Sequence, residues 1–178
     1  LVVELCISQA AGRVPIIAGA GSNNTIEAVR LAKHAASAGA DAVLIVSPYY
    51  NKPTQAGLYA HFSEVANAVD VPVIVYDIPG RSIVRVEDET LLKLASNFSN
   101  ITGIKDATAD LTRPTALQNL LGESFTQFSG EDATVLPYLA AGGHGCISVT
   151  ANIAPKLLSE MHAAWRAGDV IKTQKIHK

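Results

Sequence analysis

A lysine at the end of a short apolar segment is the residue in this sequence best suited to covalent chemistry. Residues 101–108 read Ile-Thr-Gly-Ile-Lys-Asp-Ala-Thr, a predicted strand followed by turn-forming residues, and Lys105 stands at the end of that strand. Burial beside an apolar interior disfavours the charged ammonium and lowers the pKa of a lysine. A neutral amine can form an imine with a ketone or an aldehyde, so Lys105 is a candidate Schiff-base nucleophile. A strand-end lysine can equally extend into solvent, and this segment alone leaves both interpretations open.

Two further polar residues stand at and after the end of the preceding strand. Tyr76 ends that strand, and parallel neighbours finish at the same edge of a sheet, so its phenol and the amine of Lys105 are expected to converge. A tyrosine beside a Schiff base can relay protons during formation and dehydration of the carbinolamine. Arg81 can hold a substrate carboxylate through two parallel hydrogen bonds. Alternatively, Tyr76 is an ordinary packing aromatic, and Arg81 pairs with Asp77 or Glu87 at the surface.

The elements that must position these side chains recur at an even spacing. Strands are predicted to begin near residues 14, 41, 71, 101, 125 and 145, and each is followed by a helix. Strand–helix units with continuously apolar strands predict a parallel sheet covered by helices. No Gly-x-Gly-x-x-Gly follows the first strand, which argues against a dinucleotide-binding open sheet. The pattern favours an α/β fold, a (β/α)8 TIM barrel, of which six of the eight units are present. These units are expected to form one domain over residues 1–178, and the barrel is expected to be truncated at both ends.

The apolar patterns also predict the boundaries of these elements. The strands are placed at 14–19, 41–46, 71–76, 101–105, 125–129 and 145–150. The helices are placed at 1–12, 26–38, 55–68, 88–95, 111–121, 133–140 and 155–170, with a loop through Pro79 and Gly80. Gly142 to Gly145 precede the last strand, so a tight turn is favoured over a phosphate-binding loop, and His144 is expected to be structural. His61 is expected at the surface.

Composition restricts the class of protein. With 178 residues, 48% hydrophobic and 17% charged, the chain is typical of a well-buried globular protein, and a net charge of −2 gives no reason to expect nucleic acid as a partner. No apolar run approaches the ~18 residues of a membrane span, so no membrane association is expected. Cys6 and Cys146 lack metal-binding spacing and are predicted to be buried free thiols in a reducing compartment, the cytoplasm.

Five segments together resemble the pyruvate-dependent class I aldolases of the N-acetylneuraminate lyase family, and within them the dihydrodipicolinate synthases. The segments are YYNKPT (49–54), VYDIPGR (75–81), GIKDAT (103–108), SGED (129–132) and GGHGCISVTAN (142–152). The resemblance extends over essentially the whole chain. It implies a (β/α)8 barrel and a lyase that condenses pyruvate with L-aspartate 4-semialdehyde in lysine (diaminopimelate) biosynthesis. Such imine chemistry requires no cofactor and no metal.

The resemblance also implies roles for individual residues. Lys105 would form the imine with pyruvate, and Tyr76 would be the proton-relay tyrosine. Tyr50 would cross a tight dimer interface and complete the relay in the partner's site. Arg81 would bind the carboxylate of aspartate semialdehyde. The family resemblance therefore implies a homo-oligomer, a homotetramer built as a dimer of dimers.

Further positions match residues that contact small molecules in the family. Gly130 and Ile147 correspond to backbone positions that line the pyruvate pocket. Asn23, Glu27 and Tyr49 match part of the lysine-feedback site of regulated synthases. The rest of that feedback site would come from residues before Leu1.

The sequence departs from the family pattern and leaves alternatives open. The GTTGE segment that supplies a threonine to the relay is expected before Leu1, and a helical tail after Lys178. Asp77 stands where asparagine is commoner in the family. N-acetylneuraminate lyases and keto-deoxy-sugar-acid aldolases share the lysine and tyrosine, although they generally lack an arginine at the position of Arg81. An inactive barrel fragment that binds a metabolite or a partner chain is the third interpretation.

Overall fold

Strands and helices alternate along residues 1–178, all of which the computed structural model describes. Six strands follow one another in the sheet in chain order, from β1 to β6. Sheet neighbours that are also consecutive in the chain, joined by helices, are the arrangement of successive units of a (β/α)8 barrel. The residues group into two compact units, 1–104 and 105–178. The prediction of a single domain stays a prediction.

The first unit carries the helices and strands that precede Lys105. They are α1 (Val2–Ala10), β1 (Ile17–Gly19), α2 (Thr25–Ser37), β2 (Ala42–Val46), α3 (Gln55–Ala68), β3 (Val73–Asp77), α4 (Pro79–Ser82), α5 (Asp88–Asn97) and the first part of β4 (Ile101–Asp106). β1, β2 and β3 are parallel, with Ile17 opposite Ala42 and Val46 opposite Tyr76. Val43 and Ile45, which share one face of β2, are fully buried, whereas Leu44 and Val46 on the other face are half-buried.

Polar caps fix where the helices of this unit begin. The Asn24 side chain accepts a hydrogen bond from the backbone N–H of Glu27 at 3.2 Å and starts α2. Thr54 does the same for Gly57 at the start of α3. Such caps satisfy backbone donors that have no partner inside the helix. Both helices therefore begin within one residue of the predicted positions.

The second unit continues the alternation from the end of β4. It contains α6 (Arg113–Leu121), β5 (Thr126–Ser129), α7 (Val135–Ala140), β6 (Gly145–Cys146), α8 (Pro155–Arg166) and α9 (Val170–His177), with 3-10 turns at Asp132–Thr134 and Thr150–Asn152. β5 and β6 are parallel, with Phe128 opposite Gly145. A core of Val135, Leu139 and Met161 packs α7 against α8, and Trp165 and Ile176 extend it.

Three predicted boundaries are wrong. The strand predicted at 145–150 ends at Cys146, because the carboxylate of Asp132 binds the backbone beyond it and turns the chain into a 3-10 turn. The helix predicted over 155–170 is two helices, separated at Gly168, whose φ of +76° ends the first. The predicted loop at Pro79 and Gly80 is instead the short helix α4.

β1 also begins later than predicted, at Ile17. The backbone N–H of Ile16 donates to Asp41 Oδ2 at 2.7 Å. A side chain therefore takes the backbone donor just before the strand.

Predictions for three single residues have mixed outcomes. His144 is structural, since its Nδ1 accepts from the N–H of Gln127 and its own N–H donates to the Gln127 carbonyl at 2.8 Å. The free state of Cys6 and Cys146 is confirmed, but Cys6 is exposed on α1 and Cys146 is only half-buried.

The structure contains no helix both long and apolar enough to cross a membrane.

The surface prediction for His61 is wrong. Its side chain lies in α3 with 3% of its surface exposed. Nδ1 lies 2.9 Å from the Thr25 hydroxyl, and the ring meets Phe62 edge to face with centroids 5.3 Å apart. The buried Nε2 has no hydrogen-bond partner. This desolvation lowers the pKa of His61 to about 4.

The buried imidazole predicts a loss of stability in mild acid. Between the ordinary histidine pKa of 6.5 and about 4, the unfolded chain takes up a proton that folded His61 refuses. The free energy of unfolding therefore falls with decreasing pH across this window, by up to about 3 kcal/mol from this residue. Urea unfolding of the wild type and His61→Gln from pH 7.5 to 4 measures it. The free energy of unfolding of the wild type minus that of His61→Gln should decrease as pH falls. A difference that stays constant would contradict the lowered pKa of His61.

Candidate active site

Lys105 is the penultimate residue of β4 and is buried, with 8% of its surface exposed. Desolvation of the ammonium lowers the pKa of Lys105, and the neighbouring Cys146, Asp132 and Glu131 act in the opposite direction. The first effect is the larger, so the neutral amine is favoured relative to a lysine in water. The prediction that Lys105 is a desolvated lysine at a strand end is therefore confirmed, while its role as nucleophile stays a prediction.

Gly130 leaves room for the lysine side chain. It follows β5, and its N–H donates to the Asp106 carbonyl at 2.7 Å. A Cβ at this position would lie 2.7 Å from Ala107 Cβ and 3.2 Å from Lys105 Cε. Only a glycine fits there without displacing the chain that follows Lys105.

Ile147 lies beside the same strand end. Its N–H donates to the Ser129 carbonyl at 3.0 Å, the residue directly before Gly130. Both predicted pocket positions of this unit therefore adjoin the end of β5, and Gly130 lies next to the Lys105 side chain. Their role in binding pyruvate stays a prediction.

Asp106 points away from Lys105, because successive side chains of a strand lie on opposite faces. Its carboxylate accepts from the N–H of Thr108 at 2.8 Å and lies 3.7 Å from the fully buried guanidinium of Arg113, the first residue of α6. A buried ion pair resists loss of either partner, because the other charge would then be left uncompensated. The pair fixes the chain that directly follows Lys105.

Tyr76 and Arg81 are brought together in the first unit. Tyr76 is the penultimate residue of β3, and Arg81 lies in α4, which directly follows that strand. Both line a cavity of about 290 Å³ together with Val46, Tyr49, Ile78 and Ser82. The final residue of β3, Asp77, is buried and accepts from the N–H of Val86 at 3.1 Å. β3 thus ends in Tyr76 and Asp77, and β4 in Lys105 and Asp106. In both strands a candidate for chemistry is followed by an aspartate that binds a backbone N–H.

Tyr50 lies on the outside of this unit with 88% of its surface exposed. It lines a second cavity of about 710 Å³ with Tyr49, Lys52, Arg81 and Ile83. Tyr50, Lys52 and Ile83 all have positive φ, at 74°, 47° and 70°. Side-chain-bearing residues adopt this backbone region at a cost, and such residues concentrate at functional surfaces. The exposed phenol suits the predicted interface role, which stays a prediction.

The three residues matched to a lysine-feedback site lie near the start of α2. Asn23 donates from its side chain to the Tyr49 carbonyl at 3.2 Å, and its own carbonyl accepts from Asn51. Glu27 Oε2 accepts from the Ser22 hydroxyl at 2.6 Å. The structure therefore brings Asn23 and Tyr49 into contact and places Glu27 in the first turn of the adjoining helix.

Sequence reasoning missed Asp132 as an organising residue of the second unit. Its carboxylate accepts hydrogen bonds from the backbone N–H groups of Val149 and Thr150, both at 3.0 Å. The partners are 17 and 18 residues away in the sequence, so no local pattern announces them. No cluster of three or more His, Cys, Asp or Glu side chains is arranged to hold a metal ion.

The crowding at Gly130 predicts the effect of adding one methyl group. Gly130→Ala should lower the free energy of unfolding by about 1–3 kcal/mol, because the backbone at Ala107 must move to admit the new Cβ. Gly19→Ala is the matched control, since nothing lies within 4 Å of a Cβ there. Chemical denaturation of both variants gives the comparison. Equal stability of Gly130→Ala and wild type would mean that the site is not close-packed.

The family model for the dihydrodipicolinate synthetase family matches residues 1–178. The chain is 55% identical over 176 residues to a 4-hydroxy-tetrahydrodipicolinate synthase of Bradyrhizobium diazoefficiens, covering 99% of this chain and 59% of that protein. It is 60% identical over 169 residues to the corresponding enzyme of Acidiphilium cryptum, covering 95% and 58%. The chain thus spans about 60% of the length of these relatives.

Solved structures agree with the sequence relatives. The dihydrodipicolinate synthase of Aquifex aeolicus superposes with a TM-score of 0.95 at 46% identity, covering 99% of this chain and 60% of that one. The fold class predicted from strand spacing, an α/β barrel with six of its eight units in this chain, is confirmed. With a model match over every residue and a superposition this close, the chain belongs to the dihydrodipicolinate synthetase family.

Proposed function

We propose that the protein is a Schiff-base-forming lyase that condenses pyruvate with L-aspartate 4-semialdehyde in lysine biosynthesis. The observation that carries this proposal is the desolvated Lys105 amine beside the space left by Gly130. Relatives that are 55% and 60% identical carry the name 4-hydroxy-tetrahydrodipicolinate synthase, which supports the same substrates for this chain.

The first step uses the lone pair of the lysine. The amine adds to the ketone carbon of pyruvate and gives a carbinolamine, which loses water to form the imine. Loss of a proton from the methyl group then gives an enamine, whose carbon attacks the aldehyde of the second substrate. The proton transfers at the nitrogen, at the oxygen and at the methyl carbon each need a positioned donor or acceptor.

Tyr76 is the residue we assign to these proton transfers. It occupies in β3 the penultimate position that Lys105 occupies in β4. Tyr50 would complete the relay from a second copy of the chain. Arg81 lines the cavity next to Tyr76 and offers a planar cation for the carboxylate of aspartate semialdehyde.

We further propose that the protein is a homo-oligomer, with Tyr50 at the contact between copies. The exposed phenol and the positive φ of Tyr50 support this arrangement. Sedimentation of the intact protein as a monomer at micromolar concentration would contradict it. The free thiols of Cys6 and Cys146 support a reducing compartment, and we assign the protein to the cytoplasm.

Trapping the imine tests the nucleophile. The protein at its full encoded length, given pyruvate and borohydride, should gain the mass of a reduced pyruvyl group on the peptide that contains Lys105. Lys105→Arg should abolish this adduct, because a guanidinium remains protonated and offers no free amine. Lys93→Arg, at an exposed lysine stacked on Tyr59, is the control and should label as the wild type does. Labelling of another lysine would sink the mechanism.

Two further variants separate proton relay from substrate anchoring. Tyr76→Phe should still form some adduct, but imine formation should slow on the order of 10²–10⁴-fold if the phenol carries the acid–base work. Arg81→Ala should spare the pyruvate adduct and raise the KM for aspartate semialdehyde. The rate at which the borohydride-trapped adduct accumulates measures the first effect, and steady-state kinetics with aspartate semialdehyde and with a polyhydroxylated aldehyde measure the second. Preference for the polyhydroxylated aldehyde would reassign the protein to the sugar-acid aldolases of the same family.

A further inference from the structure

The chain beyond β6 is held in place by one carboxylate. Asp132 Oδ2 accepts three hydrogen bonds at 3.0 Å, from the N–H groups of Val149 and Thr150 and from the Thr150 hydroxyl. Asp132 Oδ1 lies 3.9 Å from the Cys146 thiol. A single side chain therefore binds both ends of residues 146–150, a segment called the clamped loop below.

The other contacts of the clamped loop are local or lie at its start. The Val149 and Thr150 carbonyls and the Ser148 hydroxyl accept only from the residues that directly follow the loop, and Cys146 packs on the core of Val135, Leu139 and Met161. The side chain of Val149 has 71% of its surface exposed, and Thr150 is exposed as well, so no apolar burial fixes this end. The ladder between β5 and β6 stops at the hydrogen bond from Ile147 to the Ser129 carbonyl. Beyond that bond, the Asp132 carboxylate accepts from the backbone N–H groups of Val149 and Thr150.

We propose that Asp132 is a positioning residue for the reaction: its carboxylate holds the clamped loop so that the backbone of Ile147 stays beside Lys105 and Gly130, where pyruvate binds. The proposal rests on the function proposed above. Asp132 itself need not touch the substrate, because it acts through Val149 and Thr150, the second and third residues after Ile147.

The negative charge of Asp132 also acts on the pKa of Lys105, in the direction opposite to burial. It favours the ammonium form of Lys105 and so raises the pKa of that lysine, against the larger effect of burial. Burial would raise the pKa of Asp132, but hydrogen bonds from Ser148, Thr150 and Val149 outweigh it, and the pKa is lowered. The carboxylate is therefore ionised at neutral pH, and the hydrogen bonds it accepts are lost only as pH falls through this lowered value.

Substitution can separate the hydrogen bonds that the Asp132 side chain accepts from its negative charge. Asparagine keeps an oxygen that can accept from Val149 and Thr150, and its NH₂ group can face the Cys146 sulfur, but it removes the charge. Alanine removes both. Glu131 is the matched control, since it carries the same charge near Lys105 but joins the hydrogen bonds of this region through its backbone, with Ser129.

The experiment measures borohydride-trapped pyruvyl adduct on Lys105 against pyruvate concentration, from pH 6 to 9, in the protein at its full encoded length. Asp132→Ala should raise the half-saturating pyruvate concentration about 10- to 100-fold, because two or three hydrogen bonds that hold the loop are lost. Asp132→Asn should stay within about threefold of wild type at its best pH. Glu131→Gln should leave half-saturation unchanged. At saturating pyruvate, all three should still label Lys105.

The other outcomes are equally distinct. Equal impairment of Asp132→Ala and Asp132→Asn, together with a shift of the pH profile shared by Glu131→Gln, would mean that Asp132 acts through charge and would overturn the positioning role. So would wild-type half-saturation in Asp132→Ala. If Asp132→Ala does not fold, Thr150→Val removes one hydrogen bond from the clamp, and an unchanged half-saturation there overturns the proposal too. Failure of the wild type to label Lys105 refutes the proposed function instead.

Discussion

The burial of one ammonium group is the constraint on which the rest of the structure depends. Removing Lys105 from water disfavours its charge, and two neighbouring carboxylates, Asp132 and Glu131, partly restore it. An amine that is too well solvated stays protonated, whereas an isolated charge in an apolar interior is expensive. The glycine at position 130 admits the side chain to this environment, and the buried Asp106–Arg113 pair holds the strand that presents it.

Loops in this protein are held by carboxylates that accept hydrogen bonds from backbone N–H groups. Asp77, Asp106 and Asp132 each bind a segment that follows a strand. Exposed loops bury too little apolar surface to offset the conformational entropy that they lose on ordering. Charge-assisted hydrogen bonds supply the missing stabilisation. The same device sets the start of β1, where Asp41 binds the N–H of Ile16, and of α9, where Asp169 binds Lys172.

Local patterns were sufficient where local forces decide the structure. β2 and α3 lie where the apolar residues place them, because a continuously apolar strand and a capped amphipathic helix are encoded over a few adjacent residues. The early end of β6 could not be predicted, since its cause is the side chain of Asp132, more than a dozen residues away. His61 was misplaced because its polarity suggested solvent, whereas its position in α3 faces Thr25. The family motif at residues 129–132 contains Asp132, but nothing in that motif indicates that its carboxylate binds the backbone of Val149 and Thr150.

β3 and β4 both end in a dipeptide whose two members have separate duties. The first residue, Tyr76 or Lys105, is a candidate for chemistry, and the second, Asp77 or Asp106, faces the other way and fixes the backbone that follows. Because the two side chains point to opposite faces, exchanging the first leaves the hydrogen bonds of the second intact. Substitutions can therefore change the reactive group at a strand end while the backbone around it keeps its structure. A scaffold organised in this way is able to diverge in chemistry while its architecture stays constant.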